Sequence, residues 1–108
     1  MLCAHTIRRL RPGTFDQFAG EFGPPESAGA SGWVAFQMLR GVANRDEVIT
    51  FGFFDGSLAE LEASQREMGY EELRHAVEPL VEEVIANGVY EVVQTRMTAD
   101  AVSGSPGS

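Results

Sequence analysis

The segment EVITFGFFDGSLAE, residues 47–60, gives the clearest indication of the fold. Its first half is an apolar, aromatic-rich run typical of a β-strand, and Asp55-Gly56 ends that run with turn residues. Ser57 and Glu60 have the spacing of a capping box, in which each residue accepts a hydrogen bond from the backbone N–H of the other. We therefore expect a buried strand that passes directly into a helix.

The same criteria predict three more strands and two more helical regions. Turn residues at 43–46 join the second and third strands as an antiparallel hairpin. Thr14 and Gln17 form a second candidate capping box. An apolar stripe at helical spacing runs from Tyr70 past Pro79 and predicts a helix that the Asn87-Gly88 pair closes. Pro79 is expected to kink this helix or to mark a junction between two helical segments. The predicted strands are 2–10, 33–42, 48–54 and 89–97, and the predicted helices are 14–22, 58–68 and 70–88.

This order of elements is typical of an α+β domain with a split βαβ plan. It predicts a ferredoxin-like βαββααβ fold, with a four-stranded antiparallel sheet and the helices on one face. We take residues 1–97 as a single domain and 98–108, which are mostly small and polar, as a flexible C-terminal tail. The segment 23–32 has no periodicity and is expected to be a loop.

Both alternating sets of side chains in the third strand are apolar. Ile49, Phe51 and Phe53 form one set, and Val48 and Phe54 belong to the other. A sheet with one face in water has a polar set instead. We therefore expect a second copy of the chain to cover the face that the helices leave open, which makes the protein a homodimer.

Composition excludes several functional classes. The net charge of −8 over 108 residues disfavours nucleic acid as a partner. No apolar run is long enough for a membrane span, and we expect a cytoplasmic protein without a membrane partner. The chain has no lysine, which excludes Schiff-base chemistry, and Cys3 and two histidines give no metal-ligand spacing. We expect neither a metal nor a cofactor.

Basic residues are concentrated in one place, at Arg8, Arg9 and Arg11. This cluster is predicted to be the solvated end of the first strand. The alternative interpretation is a contact with an anion.

The pattern of residues resembles the dimeric α+β barrel proteins, and among them the antibiotic biosynthesis monooxygenase-like domains. The resemblance covers residues 2–97 and depends on the Pro-Gly in 11–14, the hairpin with an acidic turn, the strand-to-helix passage at 53–57, and the Leu-x-x-x-x-x-Pro-Leu pattern at 73–80. It implies a homodimer with a pocket between each sheet and its helices. In such proteins the pocket serves cofactor-independent oxidation of polycyclic phenols, haem degradation, polyketide cyclisation or lactone isomerisation.

The chain departs from these proteins at positions that carry chemistry. A glutamate and a tryptophan are common near the end of their third strand, where this chain has Gly52 and Phe54. The second predicted helix lacks the tryptophan of the haem-degrading members. Related stress-responsive and cyclase barrels have a histidine in the first strand, which His5 resembles, and another at the start of the third helix, where Tyr70 stands.

His5 and Tyr70 are the predicted catalytic residues. A half-buried imidazole is a natural acid–base group near neutral pH, although His5 in mid-strand can equally be a core histidine. Tyr70 would orient a substrate oxygen. His75 is expected on the outer face of its helix. The predicted pocket residues, all on strands, are Trp33, Gln37, Phe54 and Tyr90.

The function predicted from these residues is binding of a hydrophobic, aromatic or polyketide-like small molecule by a homodimer, with cofactor-independent monooxygenase activity. The alternatives are an acid–base cyclase or isomerase of the same fold, and a ligand-binding or stress-related module without turnover. The sequence leaves open which face of each strand meets the helices.

Overall fold

The computed structural model describes residues 1–23 and 32–98. The expected loop at 23–32 and the expected tail at 98–108 lie almost entirely outside these residues. The described strands are β1 (Leu2–Leu10), β2 (Trp33–Arg40), β3 (Glu47–Phe54) and β4 (Val81–Glu91). The helices are α1 (Phe15–Glu21), α2 (Leu58–Glu67) and α3 (Tyr70–Val77), followed by a single 3₁₀ turn, Glu78–Leu80.

The four strands form one antiparallel sheet in the order β2-β3-β1-β4. β1 pairs with β3 on one side and β4 on the other, so the first and last strands of the domain are neighbours. The hairpin between β2 and β3 is present as expected. This arrangement confirms the predicted α+β, ferredoxin-like plan.

The prediction for residues 70–88 was wrong beyond Val77. The helix ends there, the 3₁₀ turn contains Pro79, and β4 begins at Val81. Proline has no N–H for a helical bond, and β-branched residues such as Val84 favour a strand when an edge is available for pairing. The Asn87-Gly88 pair therefore lies inside β4 rather than at a helix end, and the strand predicted at 89–97 begins earlier and ends at Glu91.

Of the two predicted capping boxes, one is confirmed. The Ser57 hydroxyl accepts from the Glu60 N–H at 3.1 Å, and the Glu60 carboxylate accepts from the Ser57 N–H at 2.9 Å. The hydrogen bond from the Ser57 N–H holds the pKa of the Glu60 carboxyl below its ordinary value. The box at Thr14 was wrong, because that hydroxyl donates to the Arg11 carbonyl at 2.7 Å instead.

Side-chain alternation divides the sheet into two faces. The helix face, which packs against α1, α2 and α3, takes the even-numbered residues of β1 and β3, such as Leu10, Val48 and Phe54. The open face takes the odd-numbered residues, such as Ile7 and Phe51. The helix-face core consists of two clusters, Leu10, Phe18, Phe22, Val48, Val77 and Leu80 in the first and Trp33, Phe54 and Leu61 in the second.

The second cluster depends on the absence of a side chain at Gly52. A Cβ atom at this position would lie 2.9 Å from the ring of Phe36 and 2.9 Å from the ring of Trp33. These two rings stack 4.9 Å apart, centroid to centroid, across the position where the side chain would be. A side chain at position 52 would therefore displace one or both rings.

We predict that Gly52→Ala destabilises the fold by about 1–3 kcal/mol, since overpacking forces both rings to move. Chemical denaturation monitored by Trp33 fluorescence measures this loss. Gly20→Ala is the matched control, because nothing lies within 4 Å of a Cβ at that exposed helical position. It should stabilise the protein by about 0.5–1 kcal/mol. Equal stability of the Gly52→Ala variant and the wild type would contradict the packing role.

Candidate ligand-binding site

A cavity of about 820 Å³ lies between the helix face of the sheet and the helices, and we call it the main cavity. It is large enough for a polycyclic aromatic molecule. Strand side chains form its floor, and residues at the α2–α3 junction and at the end of α1 form its walls. The side chains of the helix face and the helices that line it include Thr6, Phe22, Trp33, Phe36, Met38, Thr50, Met68, Tyr70, Leu73, Arg74, Asn87 and Val89.

A few polar groups converge on this mostly apolar lining. The Thr6 hydroxyl donates to the Asn87 side-chain carbonyl at 3.0 Å. The hydroxyl of Thr50 accepts from Arg8 Nη1 at 2.9 Å, and the Tyr70 hydroxyl oxygen lies 3.5 Å from Arg8 Nη2. An apolar cavity with a small number of placed polar groups is the usual form of a small-molecule site.

Arg8 is buried, with 2% of its surface exposed. Its guanidinium carbon lies 4.5 Å from the ring centroid of Phe22 and 5.7 Å from that of Phe18, in cation–π geometry. Burial lowers its pKa from the ordinary value, while Tyr70 acts in the opposite direction. Within the described residues no carboxylate lies within 4.0 Å of it.

The predicted solvated strand end was therefore wrong for Arg8 and correct for its neighbours. Arg9 points to the open face and forms a half-exposed ion pair with Glu83 at 2.9 Å. Arg11 is exposed and donates to the Pro79 carbonyl at 3.0 Å. The difference follows from alternation, because Arg8 shares its face with the fully buried Leu10.

His5 and Tyr70 are not brought together. Tyr70 begins α3 and lines the main cavity. The backbone of His5 lies in the cavity floor, but its side chain lies on the open face, where its ring centroid is 5.9 Å from that of Tyr90 and 6.5 Å from that of Phe51. Its Nδ1 is buried without a hydrogen-bond partner among the described residues.

The predicted pocket residues divide in the same way. Trp33 lines the main cavity, and its indole N–H donates to the Ser64 hydroxyl at 2.8 Å. Phe54 is buried behind it, edge-on at 5.0 Å, and does not line the cavity. Gln37 reaches the cavity floor through β2, but it shares the open face with Phe51. Tyr90, 54% exposed, also lies on the open face.

The other histidine of the chain, His75, lies outside the cavity, and the described residues contain no candidate metal site. His75 is exposed, as predicted, and its Nδ1 lies 3.3 Å from a Glu78 carboxylate oxygen. In residues 1–23 and 32–98, no group of three or more histidine, cysteine, aspartate or glutamate residues has metal-binding geometry. Over the same ranges, no helix is long and apolar enough to cross a membrane.

Sequence reasoning gave no site role to Asn87 or Thr50. Asn87 was assigned to a helix end, and Thr50 was not singled out. Arg8 was assigned to solvent, with an anion contact as the alternative. The alternation of side chains along β1 contained a usable signal, because Thr6 and Arg8 lie on the same face of the strand as the apolar Leu10. Polar residues on the same strand face as a buried apolar residue indicate the lining of a cavity. Asn87 could not be recognised in this way, because its segment was predicted to be a helix and not a strand.

Comparison with known proteins supports the fold. No protein-family model matches the chain, and no curated protein matches it by sequence. Among solved structures, a candidate antibiotic biosynthesis monooxygenase from Chloroflexus aurantiacus J-10-fl superposes with a TM-score of 0.70 at 15% identity, over 89% of this chain and 96% of that one. A dimeric ferredoxin-like protein from an uncultured marine organism has a TM-score of 0.74 at 12% identity, over 91% and 92%.

A third structure is the N63A mutant of SnoaB, a cofactor-independent oxygenase from Streptomyces nogalater. It has a TM-score of 0.69 at 13% identity, over 87% of this chain and 94% of that one. At these identities the similarity is one of fold. The chain has the ferredoxin-like fold of the antibiotic biosynthesis monooxygenase-like proteins, which confirms the resemblance at that level.

Proposed function

We propose that this protein binds a hydrophobic, aromatic small molecule in the main cavity and oxidises it without a cofactor. The observation that carries the proposal is the cavity itself, about 820 Å³ of mostly apolar lining with the hydroxyls of Thr50 and Tyr70 directed to one region. A solved protein of the same fold is a cofactor-independent oxygenase. The lining fits the size and polarity of a polycyclic phenol.

In such a reaction the substrate itself reduces dioxygen, and the protein binds and positions the substrate. A substrate CH₂ group next to a phenol system loses a proton, and the resulting carbanion reduces dioxygen. One oxygen atom becomes the new carbonyl and the other leaves as water, so that CH₂ and O₂ become C=O and H₂O. The chain's contribution is to hold the ring system, to exclude bulk water and to position the substrate oxygen, for which Tyr70 is suited.

A second candidate function is binding without turnover. It is favoured by the position of His5, whose side chain lies on the open face and not beside Tyr70. An acid–base cyclase or isomerase that uses both residues in one protomer would need them on the same face. The catalytic role of His5 stays a prediction, and it would place the chemistry at the open face.

We predict that the wild type accelerates oxidation of a hydroxyanthrone above the buffer rate and that, under ¹⁸O₂, the new carbonyl carries the label by mass spectrometry. Tyr70→Phe should reduce kcat/KM by about threefold to tenfold, the usual effect of one lost hydrogen bond. Tyr90→Phe is the matched control and should leave the rate unchanged.

The results of these assays distinguish oxidation in the main cavity from binding without turnover and from a site on the open face. Saturable binding without rate enhancement would establish the non-catalytic alternative. Loss of activity in Tyr90→Phe or His5→Ala, with Tyr70→Phe unaffected and all three variants folded, would move the site to the open face and contradict the proposal.

We also propose that the protein is a homodimer that pairs through the open face. Ile7, Ile49, Phe51 and Phe53 lie on this face, and Leu39, opposite Ile49 on β2, is 45% exposed. Contiguous apolar surface of this kind is unusual on a monomer. One solved protein of the same fold is dimeric.

Leu39→Glu should weaken dimerisation by about tenfold or more, because pairing would bury a carboxylate. Sedimentation velocity across a concentration series measures the shift. Val42→Glu introduces the same charge at a residue that is 91% exposed in the β2–β3 turn and should leave the dimer intact. A wild-type protein that is monomeric at high micromolar concentration would overturn this part of the proposal.

A further inference from the structure

The charge of Arg8 has no counter-charge beside it. Buried charged groups in proteins are normally paired with an opposite charge. The ion pairs within residues 1–23 and 32–98 are Arg9–Glu83, Arg74–Glu71 and His75–Glu78. The immediate neighbours of the Arg8 guanidinium are two neutral hydroxyls and two aromatic rings. The site is therefore electrostatically incomplete.

The Arg8 guanidinium also has N–H groups that donate no hydrogen bond to the described residues. Arginine carries five N–H groups in a planar fork, a geometry that matches a carboxylate or another anionic oxygen. Among the described residues, Nη1 donates to Thr50 and Nη2 makes one long contact with Tyr70. Because the Tyr70 contact is 3.5 Å long, it is easily exchanged for a shorter bond to a ligand.

Arg8 does not itself line the main cavity, but it lies next to residues that do. Both of its hydroxyl partners, Thr50 and Tyr70, line that cavity. Arg8 itself lines a second cavity of about 320 Å³. Thr6, Arg74 and Asn87 line both, so the guanidinium lies where the two spaces adjoin.

Acidic groups line both cavities. The second cavity is lined by Glu78, Glu82 and Glu83, of which Glu78 lies beside His75 and Glu83 pairs with Arg9. In the main cavity, Glu71 is paired with Arg74, and Glu72 is also part of the lining. Neither of these two glutamates lies within 4.0 Å of Arg8, and both hydroxyl partners of Arg8 line the main cavity, so we expect a ligand anion to approach Arg8 between Thr50 and Tyr70.

We propose that Arg8, assisted by Tyr70, recognises an ionised oxygen on the ligand, a carboxylate, phenolate or enolate attached to the aromatic body in the main cavity. The inference rests on the proposed binding function and specifies its ligand class as anionic. Arginine stays charged across the physiological pH range, so the contact does not depend on titration of the protein. The surrounding rings exclude water and strengthen the attraction.

The test compares two probes of the same shape, 2-naphthoate and 2-naphthamide, by titration calorimetry at pH 7.5. The wild type should bind naphthoate about tenfold to a hundredfold more tightly, since a hydrogen bond to a charged group is worth more than a neutral one. In Arg8→Gln the preference should fall to about threefold or less, with naphthamide affinity retained.

Arg9→Gln is the matched control. It removes the same charge from the next residue of β1, on the opposite face, and should keep the full preference for naphthoate. Arg8→Lys keeps the positive charge but loses the planar arrangement of N–H groups. Its preference for naphthoate should lie between that of the wild type and that of Arg8→Gln. If Arg8→Gln does not fold, the Arg8 Nε–H resonance of the wild type, assigned through the folded Arg8→Lys spectrum, should shift with naphthoate and not with naphthamide.

The results distinguish this inference from the function on which it rests. Binding of neither probe would overturn the proposed binding function. Equal binding of both probes by the wild type, or equal loss of preference in Arg8→Gln and Arg9→Gln, would overturn the role of Arg8 and leave the cavity as a binding site for neutral molecules.

Discussion

The alternation of side chains along β1 and β3 determines the chemistry of both faces of the sheet. The two strands pair residue by residue from Leu2 with Phe54 to Arg9 with Glu47, so their even-numbered residues share one face. Because successive side chains point to opposite faces, neighbours in sequence have unrelated environments. Arg8 is buried among aromatic rings, whereas Arg9 pairs with a glutamate on the other face. His5 and Tyr70 are separated by the same rule.

The main cavity is lined by residues that pack against both buried clusters of the helix face. One cluster is centred on Phe18 and Leu10, and the other on Trp33 and Leu61. Polar residues at Thr6 and Thr50 lie in the floor of the main cavity, so the sheet itself does not supply an apolar surface for closer helix packing there. The glycine at 52 leaves room for the rings of Trp33 and Phe36, which both line this cavity, to lie close to the sheet.

Local chemistry made much of the fold predictable. The strand bounds of β1 and the capping box at Ser57 follow from patterns within a few residues. The helix predicted at 70–88 was wrong beyond Val77 because an apolar stripe that continues through Leu80, Val81 and Val84 fits both a helix and a strand, and only pairing with β1 decides between them. The candidate binding site was less predictable than the fold, because it also depends on the pairing of strands that are distant in sequence. The burial of Arg8 and the face of His5 depend on register between distant strands, which one sequence does not reveal.

We propose that the ligand binds on the helix face of the sheet and not on the open face. Intermolecular NOEs between bound 2-naphthoate and labelled methyl groups distinguish the two positions. Binding on the helix face should give NOEs to Met68 and Leu73, which line the main cavity. NOEs to Leu39 and Ile49, which pair across the open face, would contradict it.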